Sequence, residues 1–139
     1  MATIPDNIQQ VRARIARACD TARRPVQSVT LLAVSKTSHA DAGRVTHAAG
    51  QRARGANYVQ EALEKIGALA GRGAVWHFIG HLQGNKAKEV ARHFDWVHGV
   101  DRAKIADLLS RHRPAGKSPL DVCVQVNISE EATKGGVKP

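Results

Sequence analysis

The feature that most constrains this chain is a regular alternation of short apolar runs with amphipathic stretches. Runs with strand character are expected at residues 29–35, 52–55, 75–79, 96–100 and 122–128. Between them lie stretches with helical spacing at 40–49, 58–70, 82–93 and 101–111, and an opening helix is expected over 4–22. In the opening helix Ile4, Ile8, Val11, Ile15 and Cys19 recur every three or four residues, which puts one apolar stripe on a helix. In the third stretch Val59, Ala62, Leu63, Ile66 and Leu69 do the same, and Gly71 and Gly73 close it. Ile105, Leu108 and Leu109 form the apolar face of the last helix, with Asp101 as its expected N-cap. The run at 122–128 is almost continuously apolar, as expected of a strand covered on both faces. Strand-then-helix units repeating at a spacing of roughly 20–25 residues are the signature of a parallel sheet.

Length and composition bound the answer. The chain has 139 residues, with 42% hydrophobic and 24% charged, enough for one domain with a real core. No apolar run approaches the roughly 20 residues of a membrane span. The start, Met1-Ala-Thr-Ile-Pro-Asp-Asn, has no basic-then-apolar pattern of a secretion signal. Cys19 and Cys123 lack metal-ligand spacing and read as isolated thiols, so a cytoplasmic setting is expected. The net charge of +9 invites a nucleic-acid reading. The basic residues, among them Arg12, Arg14, Arg17, Arg54, Lys86 and Arg92, are spread along the helices, however, and aromatics make up only 4%. A stacking platform for bases is therefore not expected, and a solvated basic surface is.

Two α/β architectures fit five such units: a complete doubly wound sheet, or the first five units of a (β/α)8 barrel, which takes about 250 residues. The first strand is not followed by a Gly-x-Gly-x-x-Gly, so a dinucleotide fingerprint is absent.

Several residues carry chemistry beside an ordinary reading. Lys36 follows the first strand, Val29-Thr-Leu-Leu-Ala-Val-Ser35. A lysine there is either a charge where a strand meets solvent or an amine at a barrel's ligand-binding mouth, where desolvation frees it to condense with an aldehyde. Asn57, in Gly55-Ala-Asn-Tyr-Val-Gln-Glu61, can cap the following helix with Gln60 answering three positions on, or aim its amide at a polar ligand. His77 shares a strand face with Ile79, opposite Trp76 and Phe78, and a histidine held there needs a hydrogen-bond partner. Gly80 lets backbones approach closely, and Gln83, Asn85 and Lys86 open a helix whose free N–H groups favour anions. Asn127 either faces the barrel mouth or caps the next loop. The seven histidines form no His-x-x-x-His or Cys/His cluster, so no metal site is expected.

Taken in order, Leu31-Leu-Ala-Val-Ser-Lys-Thr37, Gly55-Ala-Asn-Tyr-Val-Gln-Glu61, Trp76-His-Phe-Ile-Gly-His-Leu-Gln-Gly-Asn-Lys86, His93-Phe-Asp-Trp-Val-His98 and Gln125-Val-Asn-Ile-Ser129 resemble one family. The chain is identified as a member of the pyridoxal 5′-phosphate (PLP) homeostasis proteins, the YggS/PROSC-type group. The resemblance implies a single-domain barrel similar to the N-terminal domain of alanine racemases, with residues 1–139 forming one partial PLP-binding domain. It implies that Lys36 carries PLP as a Schiff base, with Asn57 and His77 on the cofactor side. It further implies a non-catalytic carrier that serves PLP-dependent apoenzymes, is monomeric, and has no specific nucleic-acid or membrane partner. A racemase-like enzyme is the alternative, and would need a second base on the opposite face of the substrate.

Three positions depart from the pattern: Ala56 stands where the family has Glu, His81 where it has Pro, and Gly84 where it has Ser. The family is also much longer, and its later strands carry the loops that hold the phosphate. The chain therefore reads as a truncated member, which leaves open a product that no longer binds PLP, and its outer strands are expected to be unpaired edges.

Overall fold

The computed structural model describes residues 3–35 and 40–139. Lys36 lies outside the described residues. Helix α1 (Ile4–Ala22) is followed by a 3-10 turn (Val26–Ser28), strand β1 (Ala33–Val34), α2 (Ala40–Ala48), β2 (Ala53–Ala56), α3 (Val59–Ala68) and β3 (Val75–Phe78). A second 3-10 turn (Gly84–Lys86) leads into α4 (Ala87–His93), β4 (Trp96–Val100), α5 (Ala103–His112) and β5 (Asp121–Val124). All neighbouring strands pair in parallel, and their order in the sheet is β1-β2-β3-β4-β5. A doubly wound sheet reverses its strand order at a switch point; a barrel does not. The unreversed order places this chain with the first five units of a (β/α)8 barrel.

The core lies between the middle strands and α3, α4 and α5. Trp76 and Phe78 of β3 and Val97 of β4 meet Leu82, Val90, Phe94, Ile105 and Leu109 there, all buried. The alternation read from β3 holds: Trp76 and Phe78 point to the helices, His77 to the opposite, concave face. Phe94 meets Phe78 edge to face at 5.4 Å. α1 begins with a capping box, in which Thr3 Oγ1 accepts from the Asp6 N–H and the Thr3 N–H donates to Asp6. Its apolar stripe is covered only in part; Cys19 is buried whereas Ile4 and Val11 are exposed. Arg54 departs from the reading of the basic residues as surface groups. It is 1% exposed, donates to the Gly43 carbonyl at 3.1 Å and lies 5.7 Å from the Trp76 ring.

The ends of the sheet correct the sequence reading. β1 pairs over only two positions, Ala33↔Arg54 and Val34↔Gly55, rather than across 29–35. It is an edge with one neighbour, and the chain before it is drawn into the turn at Val26–Ser28. β5, expected to be covered on both faces, is exposed at all four residues, with Val122 at 48% and Val124 at 64%. A continuous apolar run signals two-sided burial only where both faces have cover, and β5 pairs with β4 alone. No helix among the described residues is long and apolar enough to cross a membrane.

Candidate functional site

The carboxyl ends of the strands form a rim, and three features shape it. At the end of β1 the Lys65 ammonium, reaching up from α3, donates to the Ser35 carbonyl and lies 3.4 Å from Ser35 Oγ. Next to it, the loop after β2 carries Asn57. The expected cap does not form: Tyr58 is the N-cap of α3 and makes no side-chain cap hydrogen bond. The backbone turns into the helix one residue later than a capping Asn57 requires, so its amide has no side-chain hydrogen bond among the described residues. The third is a contact between loops. A Cβ at Gly80 would stand 2.5 Å from the Asn57 carbonyl oxygen, so only glycine lets the loop after β3 lie against the loop after β2.

Beside these loops opens a cleft of about 690 Å³, lined among others by Asn57, Tyr58, Gln60, His81, Gln83 and Lys86. Its volume is in the range of sites for small ligands. Tyr58 is 66% exposed at its mouth. Asn85 and Lys86 lie in the short 3-10 turn ahead of α4, with Gln83 as its N-cap, and of the three only Lys86 reaches the start of α4, as its N-cap. Gly84 there has room for a Cβ, whose nearest neighbour would be Leu108 at 3.4 Å.

His77 sits one layer deeper. It pairs in register with Gly55, two residues before Asn57, so Asn57 and His77 stand about 7 Å apart along the strand direction. His77 lines a separate depression of about 630 Å³ on the concave face, with Ala53, Trp96, His98 and Cys123. Among the described residues, Asn57 lines the rim cleft and His77 the depression below it. The partner a buried histidine requires is His98: Nδ1 of His77 lies 2.9 Å from Nε2 of His98. Trp96 stacks on the His77 ring at 5.4 Å and 6°. Burial lowers the His77 pKa, the neighbouring His98 adds to this, and Asp95 and Asp121 oppose it. The contact needs one of the two facing ring nitrogens to carry the hydrogen and the other to accept it, so it fixes the two rings relative to each other.

Asn127 resolves toward its loop. Its Nδ2 donates to the Glu131 carbonyl at 2.8 Å, and its Oδ1 accepts from the Glu131 N–H at 3.1 Å. Asp101, expected as a cap, instead accepts from the Gly136 N–H at 3.1 Å, and Arg102 is the N-cap of α5. No group of three or more metal-ligating side chains is found among the described residues.

Two site neighbours were missed from the sequence. His98 could have been found by alternation, which sets it and Trp96 on the face that carries His77. Lys65 could have been found as the charge on an apolar stripe, three residues after Ala62 and four before Leu69.

The residues 7–139 match the family model described as alanine racemase, N-terminal domain. The chain belongs to that family. It is 55% identical over 139 residues to the pyridoxal phosphate homeostasis protein of Pseudomonas aeruginosa, covering 100% of this chain, and 48% identical over 141 residues to the protein of the same name from Escherichia coli K12, covering 99% of it. The chain spans 60% of the length of each of these relatives. Among solved structures it resembles PipY of Synechococcus elongatus with PLP bound, at 39% identity and a TM-score of 0.72, over 89% of this chain and 57% of that one.

Proposed function

We propose that the chain binds pyridoxal 5′-phosphate and serves intracellular PLP homeostasis, with the cofactor linked through a Schiff base to Lys36 and with Asn57 and His77 on its side of the barrel. The observation that carries the reading is the likeness to PipY, a protein solved with PLP bound. The rim offers, around one cleft, a carboxamide at Asn57 with no side-chain hydrogen bond among the described residues, a phenol at Tyr58 and an ammonium at Lys86, with the Glu61 carboxylate also in the lining. The first three can donate hydrogen bonds to an anionic aromatic molecule. When bound, PLP supplies an aldehyde that condenses with a neutral amine and expels one water. The chain's part is to present that amine at the end of β1, with Asn57 able to donate to a polar ring substituent. His77 acts one layer below, and its hydrogen bond to His98 supports the floor of the site rather than its rim.

On this reading residues 1–139 act as one partial barrel domain, a carrier rather than a catalyst, monomeric and cytoplasmic, that passes PLP to apoenzymes needing it. The two thiols, Cys19 and Cys123, are free, which suits a reducing compartment. The test is to mix the purified chain with PLP and follow a protein-bound visible imine band, with Lys36→Ala alongside. The band is expected in the unsubstituted chain and lost in the variant. A band that persists in Lys36→Ala removes Lys36 from the role, and no band in either removes the binding reading.

A further inference from the structure

We propose that Lys65 is a positioning residue for Lys36; the inference rests on the reading of Lys36 given above. The Ser35 carbonyl that accepts from Lys65 belongs to the same peptide group as the Lys36 nitrogen, so Lys65 holds the backbone one bond before the amine-bearing residue. Among the described residues, Ser35 has no strand partner of its own. The ladder between β1 and β2 ends at Val34↔Gly55, so Ser35 lies past the last paired residue of an edge strand. The ammonium ties this end of the strand to α3, and its contact with Ser35 Oγ uses a second of its three donors.

The chemistry of the neighbourhood favours a dedicated role over a chance contact. Lys65 is half-buried on α3, in the sequence between the buried Ala62 and the buried C-cap Leu69, so its ammonium is placed beside the sheet rather than out in solvent. Glu61 lines the same crevice one helical turn earlier, as do Val34, Gly55 and Asn57. Lys65 nevertheless makes no ion pair among the described residues, and its hydrogen bonds go to Ser35. A charged hydrogen bond to a carbonyl is stronger than a neutral one and fixes direction better. Holding a reacting group in place is worth far more to bond formation than the energy of the contact that holds it.

The test uses the full chain with three substitutions. Lys65→Met keeps length and apolar packing but loses the donor. Lys65→Arg keeps a donor and a charge. Ile66→Ala weakens the packing of α3 without touching Ser35. Without any cofactor, hydrogen exchange of the segment 31–36, read by mass spectrometry, is expected to quicken in Lys65→Met and to return toward the original rate in Lys65→Arg. With PLP, Lys65→Met is expected to weaken the apparent affinity read from the imine band by about tenfold, the size of one charged hydrogen bond. Lys65→Arg recovers most of that loss, and Ile66→Ala keeps the original affinity. An affinity in Lys65→Met within about twofold of the original, a difference of only ~0.4 kcal/mol, overturns the inference and leaves the PLP reading standing. An equal loss in Ile66→Ala overturns it too, by making the effect one of general stability. No imine band in the unsubstituted chain overturns both readings together, while the exchange data still report on the Lys65 contact.

Discussion

The middle of the sheet and its two edges are built from similar residues and behave differently. β3 and β4 are short and mixed in composition, yet Trp76, Phe78 and Val97 are buried beneath three helices. β5 opens an almost continuous apolar run, yet Val122 and Val124 stand open. Apolar content therefore does not decide burial here; position in the sheet does. A strand with a neighbour on each side and helices behind it becomes core, and the same residue types at an edge remain surface.

The comparison is tested most severely by Phe78→Ala. The ring is 2% exposed and packs on Phe94, so truncation should cost about 3–5 kcal/mol in a denaturant titration. A loss below about 1 kcal/mol, the level of an ordinary substitution, would mean that the middle of the sheet is not the stabilising core. Gly80→Ala comes next. It puts a methyl group against a backbone carbonyl that joins two rim loops, and should cost about 1–3 kcal/mol, with the damage centred on the rim rather than the core. A Gly80→Ala protein as stable as the original would show that the two loops are free to part. The smallest effect is expected at the edge. Val124→Thr should change stability by less than about 0.5 kcal/mol, and a loss as large as that of Phe78→Ala would mean that something covers β5 in solution.

The same contrast explains what could be read from the sequence. α1 at Ile4–Ala22 and β4 at Trp96–Val100 have the bounds that periodicity gives, because their apolar spacing and end signals are local. β3 falls one residue short of its expected end. The ends of β1 and β5 were not legible, since pairing there depends on which strands are neighbours. Capping failed for a related reason. Asn57 and Asp101 both have the right side chain at the right place, but Asp101 is taken by Gly136, far along the chain, and the backbone at Asn57 turns too late. At the site, the sequence pointed to His77 and to its need of a partner; alternation offers Trp96 and His98 on the facing strand, and the register of β3 against β4 brings the His98 ring to the His77 Nδ1. Lys65 was visible only as an anomaly on an apolar stripe, whose meaning appears once Ser35 is placed beside it.

Each strand of this sheet lies next to the strand that follows it in the chain. Every pairing therefore closes a loop of only about 20–25 residues, and the entropy lost at each step stays small and nearly constant. Assembly can proceed from either end of the sheet, one unit upon the last, without waiting for distant segments to meet. For the same reason, a growing polypeptide can lay these units down in the order in which they are made.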